Sequence, residues 1–153
     1  VGYKTVWVFY LRMISIKVIK NTITPYLAEI AKRLLNPSSV LMIIGRDWQA
    51  SIDANFASGG RPVRWRSSIR AVQTGGQTLI KTGTLRNSFT STLLNTRSVA
   101  IGSDVRYAHA HHAGSVVGRG VKLPVRPIIV LHEADVQQTK SRIGHFIADG
   151  RLR

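Results

Sequence analysis

The alternation of apolar and polar residues is clearest from Met13 to Lys20, where Ile14, Ile16 and Val18 exchange with Ser15 and Lys17 at the period of a strand with one buried face. Thr24 followed by Pro25 then supplies an N-cap and a proline at the first helical position. Leu27, Ile30, Ala31 and Leu34 recur at helical spacing until Asn36-Pro37 stops the run. Ser38 or Ser39 caps a second, longer helix in which Leu41, Ile44, Trp48, Ile52 and Phe56 form one apolar stripe. Gly45 inside it costs about 1 kcal/mol against alanine, which the large apolar residues outweigh.

From Ala57 to Thr78 the pattern collapses. Ser58-Gly59-Gly60-Arg61-Pro62 and Gly75-Gly76 punctuate a long, partly ordered excursion, with Trp65, Ile69 and Val72 as a weak apolar trio in which Trp65 and Ile69 anchor it to the core. Thr82 to Arg86 reads as a turn or a single helical turn. Phe89–Leu94 and Arg97–Gly102 then read as two strands joined at Asn95-Thr96. Asp104–Gly114 is a short helix or tight loop, Ser115–Lys122 a glycine-bearing basic loop, and Pro124–Leu131 an extended segment because its two prolines forbid a helix interior. A last helix from about His132 to Ala148 turns Val136, Ile143, Phe146 and Ile147 inward, weakened by Gly144. The order predicts an α+β fold: a small, mostly antiparallel sheet packed by two or three helices, with long basic loops.

A length of 153 residues fits one domain, and a chain of this size buries roughly 70% of the surface that its unfolded form exposes. The chain does not begin with methionine and the clean strand pattern opens at Met13. We therefore set Val1–Arg12 apart as an extension or artefact, and 13–153 as a single domain. The apolar run Val6–Leu11 is broken by Lys4, Arg12, Lys17 and Lys20 far short of the roughly 20 residues that cross a membrane, so no membrane partner is expected. Absence of cysteine excludes disulfides, thiolate metal sites and thiol nucleophiles.

Charge changes the picture most. Lys and Arg number 22 against 7 Asp and Glu, for a formal +15, so the partner must be acidic: nucleic acid, anionic lipid or acidic protein. No acidic residue lies between Asp53 and Asp104, whereas Arg61, Arg64, Arg66, Arg70, Lys81, Arg86 and Arg97 all do. With Arg119 and Lys122 in the later loop, these are the candidates to face DNA or a partner. Their bland reading, solvated arginines that pair with acidic neighbours, carries equal weight. No sequence-reading motif such as a helix-turn-helix or a zinc finger is present.

Catalytic chemistry has one foothold. His109, His111 and His112 lie close enough to share a metal, but a closed site needs further ligands, and only Asp104 is near, with His132, Glu133 and Asp135 far off. Histidines packed around a turn are the stronger reading, so no metal, cofactor or catalytic residue is expected. There is no Gly-x-Ser-x-Gly elbow and no Walker loop, and Glu133 and Asp135, two apart, diverge on a helix.

Four stretches, in order, resemble the phage virion morphogenesis family, which includes the Mu-type tail-completion proteins and is related to neck proteins of long-tailed phages. They are Gly60-Arg61-Pro62-Val63-Arg64-Trp65; Thr82-Gly83-Thr84-Leu85-Arg86-Asn87-Ser88; Ile101-Gly102-Ser103 leading to Tyr107-Ala108, His111 and Gly114; and Arg126-Pro127 before the last helix. Ile128 and Ile129 follow the last pair where the family has an aromatic and a leucine. The resemblance spans Met13–Ala148 and implies structural roles for Trp65, Thr82, Gly83, Leu85, Tyr107, His111, Gly114, Arg126 and Pro127. It further implies a non-enzymatic virion subunit, assembled in the host cytoplasm, forming a ring, commonly sixfold, where tail meets head. Neck and tail proteins would be its neighbours and genomic DNA would pass through it. The 57–78 and 115–122 loops would reach a neighbour or the channel, ordering on assembly. Two rivals remain: a free basic nucleic-acid-binding protein and a histidine-based metal-dependent hydrolase.

Overall fold

A computed structural model describes residues 22–152; the Met13–Lys20 strand and the Val1–Arg12 extension lie outside the described residues. In chain order the elements are α1 (Ile23–Leu35), α2 (Ser38–Ser58), α3 (Ile69–Thr74), α4 (Thr84–Asn87), β1 (Phe89–Asn95), β2 (Ser98–Ser103), α5 (Tyr107–Ala113), β3 (Ser115–Val117), β4 (Val121–Leu123) and α6 (Glu133–Asp149). This is the expected α+β class, with two two-stranded antiparallel sheets, β1-β2 and β3-β4.

The long helix α2 organises the molecule because its apolar stripe meets two different partners. Val40 and Ile44 in its first half pack with Phe146 of α6, flanked by Leu41 and Trp48. Ile52 and Phe56 in its second half join Trp65, Leu85, Phe89, Ala108 and Ile128 in the main core. Phe56, fully buried, takes the edge of Trp65 at 5.4 Å between ring centroids and lies 6.0 Å from Phe89. Arg142 forks onto Asp47, and Trp48 Nε1 donates to Thr139 Oγ1 at 3.0 Å, so polar contacts lock α2 to α6 beside the apolar ones.

The hairpin lies across the middle of α2, with Phe89 opposite Ser103, Ser91 opposite Ile101 and Leu93 opposite Val99. Gly45 is what permits this approach: a β-carbon there would stand 2.9 Å from Ser91 Cβ and 3.0 Å from Val99 Cγ2. The glycine that sequence propensity counts as a weakness is the point where helix and hairpin touch.

Several expectations need correction. The first helix starts two residues earlier than predicted, with Thr22 at the cap, so Pro25 sits deeper in the first turn, where its missing N–H still breaks no helical bond. No residue of α1 is buried; Leu27 and Leu34 stay exposed, as do Ile23, Tyr26 and Leu35. Instead α1 leans on α6 through Arg33, whose Nη1 donates to the Ile147 and Ala148 carbonyls at 3.0 Å each, satisfying the open end of that helix. Pro37, rather than Ser38 or Ser39, precedes α2.

The 57–78 excursion is folded more tightly than predicted. Gly59 and Gly60 close α2 at positive φ, and the Trp65 amide donates back to the Gly59 carbonyl at 2.7 Å. Ser68 caps α3 by accepting from the Ala71 amide at 3.2 Å. Within the apolar trio, Trp65 anchors as expected, but Ile69 and Val72 are 78% and 72% exposed; α3 turns Ala71 inward instead. The basic loop at 115–122 is the β3-β4 hairpin. Pro124–Leu131 is free of helix, as predicted, yet pairs with no strand. In α6, Phe146 is buried, while Ile143 remains exposed.

The two helical glycines should respond in opposite directions to substitution. Gly45→Val is expected to cost about 1–3 kcal/mol by overpacking against the hairpin. Gly144→Ala, with nothing within 4 Å of the added carbon, should gain up to about 1 kcal/mol, both read from urea unfolding midpoints.

Candidate functional site

The segment after Pro124 is unusual because its buried backbone has no sheet to satisfy it. Ile128 is 0% exposed, and its amide donates to His112 Nδ1 at 3.0 Å while its carbonyl accepts from Asn55 Nδ2 at 2.8 Å. The Pro127 carbonyl accepts from Trp65 Nε1 at 3.0 Å and from Asn55 Nδ2 at 3.2 Å. One residue earlier, the Arg126 amide donates to the His111 carbonyl and Arg126 Nε to the Arg66 carbonyl, each at 3.0 Å. Side chains from α2, α5 and the Trp65 loop thus take the place of a neighbouring strand.

Beside this knot opens a cleft of about 400 Å³. Its polar lining includes Arg70, Lys81, Thr82, Thr84, Tyr107, His111 and Arg126, and its apolar lining includes Leu79 and Leu85. Arg126 is only 4% exposed. The ring of Tyr107 meets His111 edge-on at 5.9 Å. Burial, and then the charge of Arg126, push the His111 imidazole below its ordinary value; burial and the neighbouring Arg66 push Arg126 down as well. His111 Nδ1 is buried without a hydrogen-bond partner among the described residues.

The acid-free belt divides into engaged and open cations. Arg61 Nη2 donates to the Ser51 carbonyl at 2.6 Å and to Ser51 Oγ at 3.0 Å; Ser51 Oγ in turn donates to Asp135, which also accepts from the His132 amide at the start of α6. Arg70 ties down the Gln77 and Ile80 carbonyls, and Arg86 pairs with Asp53 at 2.9 Å. Arg64, Arg66, Lys81, Arg97, Arg119 and Lys122 are exposed, and their side-chain cations make no hydrogen bond or ion pair among the described residues. Arg64 and Arg66 flank Trp65, whereas Arg119 and Lys122 ride on the β3-β4 hairpin.

The sequence profile of the phage virion morphogenesis family matches residues 18–147. The chain belongs to the phage virion morphogenesis family. No curated protein and no solved structure matches it. The matched span is close to the Met13–Ala148 stretch over which the motifs resemble the family, and the fold now shows where those motifs meet. Trp65, Leu85 and Ala108 share the main core; Thr82, Gly83, Tyr107, His111 and Arg126 line the cleft; Pro127 receives Asn55 and Trp65. Gly114 has φ +76°, and a β-carbon there would meet the Leu123 carbonyl at 3.1 Å, so it lets the hairpin close against α5. Four motifs far apart in a virion morphogenesis chain therefore converge on one knot and the cleft beside it.

Sequence reasoning passed over Asn55 as a structural residue, whereas His112 packs and hydrogen-bonds as the structural reading of the histidine cluster expects. Asn55 lies three positions after Ile52 on the face that carries the apolar stripe, and a polar residue there was the available signal. His112 is committed through Nδ1 to the Ile128 amide, and among the described residues no three His, Asp or Glu side chains gather as metal ligands. No helix among the described residues is long and apolar enough to cross a membrane.

Asn55→Leu leaves the buried Ile128 carbonyl without its donor, while the Pro127 carbonyl keeps Trp65, and should cost about 1–3 kcal/mol in urea unfolding. The depressed His111 value also has a sign. Above the ordinary imidazole value of 6.5 folded and unfolded chains are both neutral there. Below it the unfolded chain binds a proton that the folded chain resists, so stability is lost as pH falls toward the folded value. The thermal midpoint should drop between about pH 7.5 and 5.5, and His111→Gln should drop less.

Proposed function

We propose that this virion morphogenesis protein is a non-enzymatic subunit of the head-to-tail junction, acting in tail completion, as a tail terminator or in the neck. In this reading it closes with copies of itself into a ring, six being the commonest number for such proteins, around the path of the genome. The observation that carries it is how the chain uses its few carboxylates. Asp47 pairs with Arg142, Asp53 with Arg86 and Asp149 with Arg151; Asp135 serves the α6 cap, and Glu133 accepts from Gln137. The exposed cations therefore stand uncompensated on the isolated chain, and copies repel unless a polyanion or acidic partners lie between them.

Exposed apolar surface points the same way. The α1 side chains Ile23, Tyr26, Leu27, Leu34 and Leu35, and the hairpin valines Val116 and Val121, are open to solvent on a chain with a well-filled core. A free nucleic-acid-binding protein would share the charge but has no use for these two uncovered patches. Assembly covers the patches and turns the cations toward DNA or acidic neighbours. Neighbouring neck and tail proteins, together with genomic DNA, are then the partners, and assembly takes place in the host cytoplasm.

Mass measured by light scattering on the neck extracted from virions, or on the purified protein with duplex DNA present, should correspond to a closed multimer. Leu27→Glu with Leu34→Glu should shift it toward monomer without loss of the main core. Binding to duplex DNA should weaken by roughly 10³ to 10⁵ between 50 and 200 mM salt if six to ten phosphates are met, and Arg64→Ala with Arg119→Ala should flatten that slope. A stable monomer that binds DNA tightly, or virions that lack this chain, would overturn the reading.

A further inference from the structure

Arg126 carries a charge that the fold does not answer. It is 4% exposed, its Nε donates to the Arg66 carbonyl, and its two terminal nitrogens donate to no group among the described residues. Those two nitrogens reach solvent through the cleft, and a guanidinium held in this way is best met by a carboxylate or a full set of acceptors. No carboxylate lines the cleft; its other charged groups are Arg70 and Lys81, and the imidazole of His111 is held toward its neutral form. Arg70 already serves two backbone carbonyls, so it shapes the cleft wall, whereas Lys81 at the rim is unpaired among the described residues. The threonine hydroxyls of Thr82 and Thr84 lie 2.7 Å apart at the same mouth, and Leu79 is held at φ +64° in the left-handed region to present its side chain there.

We propose that this cleft is a socket for one protein carboxylate: an aspartate or glutamate side chain of a neighbouring polypeptide. Its carboxylate pairs with the terminal nitrogens of Arg126 and its apolar flanks lie against Leu79, Leu85 and the Tyr107 ring. Guanidinium and carboxylate match as two parallel hydrogen bonds, and the threonine and tyrosine hydroxyls can donate to the remaining lone pairs. The depth of Arg126 selects protein over DNA. A duplex carries its phosphates on a broad, stiff backbone that meets exposed cations such as Arg64 and Arg119, while a recessed cation in about 400 Å³ admits a single side chain. The inference deepens the assembly reading by naming the chemistry of one contact. Its test is made on the isolated full chain, so its failure is distinct from failure of the ring, which is read by particle mass.

The probe is a blocked tripeptide with glutamate between two leucines, titrated into ¹⁵N-labelled protein. The amides of Gly83, Thr84 and Leu85 should shift saturably, and the same peptide with glutamine in place of glutamate should leave them unmoved. Lys81→Glu, at an exposed rim position, should weaken the glutamate peptide about tenfold or more. Arg126→Gln should abolish its binding, and if that chain does not fold, Lys81→Glu and Thr84→Val still decide the matter. Equal binding of the glutamine peptide, silence of the cleft amides, or insensitivity to Lys81→Glu would overturn the proposal. So would inorganic phosphate or a DNA duplex displacing the peptide from the cleft, since either makes the socket a phosphate site.

Discussion

A buried residue whose backbone belongs to no sheet must find hydrogen-bond partners among side chains, and Ile128, with Arg126 and the exposed Pro127 before it, imposes that requirement on everything around it. An unpaired amide or carbonyl in such a place costs on the order of 1–3 kcal/mol, a large fraction of a small domain's net stability. Asn55, Trp65 and His112 meet the demand from three directions. Each of them then fixes something else. Asn55 sets the rotation of α2, Trp65 pins the loop between α2 and α3, and His112 orients α5. Of these three, Trp65 belongs to a family motif, whereas Asn55 and His112 lie outside the motifs.

This arrangement also explains the distribution of charge. Arginines that sequence inspection groups into one basic belt are of two kinds. Arg61, Arg70 and Arg86 bind carbonyls or a carboxylate within the fold, working as multi-armed staples for loops that lack regular structure. The remainder are exposed and, among the described residues, have no side-chain partner to balance them. In the assembly proposed above, counter-charges to these arginines would come from outside the chain.

The helices α1, α2 and α6, the β1-β2 hairpin and the α+β class were legible because each rests on local periodicity or on a turn signal: the stripe from Leu41 to Phe56, the Asn95-Thr96 turn, the proline that ends α1. Legibility failed where tertiary contact decides. Periodicity assigned Ile69 and Val72 to an apolar face, but Ser68 caps α3 in an orientation that turns Ala71 inward and leaves both exposed. The valines of β3 and β4, three residues each around Gly118-Arg119-Gly120, gave too short a run to separate hairpin from loop. Pro124–Leu131 was rightly read as free of helix, but no sequence pattern says that side chains, and not strands, will satisfy it. Tyr107 and Arg126 were named from the resemblance alone, whereas the apolar pattern already gave Trp65 as a core anchor and the histidine cluster already included His111. That they close around one cleft, with a buried cation in its wall, required coordinates.

The attachment of α1 has a consequence for the hierarchy of motions. Its two firmest ties are the hydrogen bonds from Arg33 to the last carbonyls of α6, and none of its side chains is buried. Lifting this helix away removes little apolar area from contact and leaves the Phe56 cluster whole. Its amide protons should therefore exchange with solvent through local openings far cheaper than global unfolding, while those in the second half of α2 exchange only when the whole core comes apart.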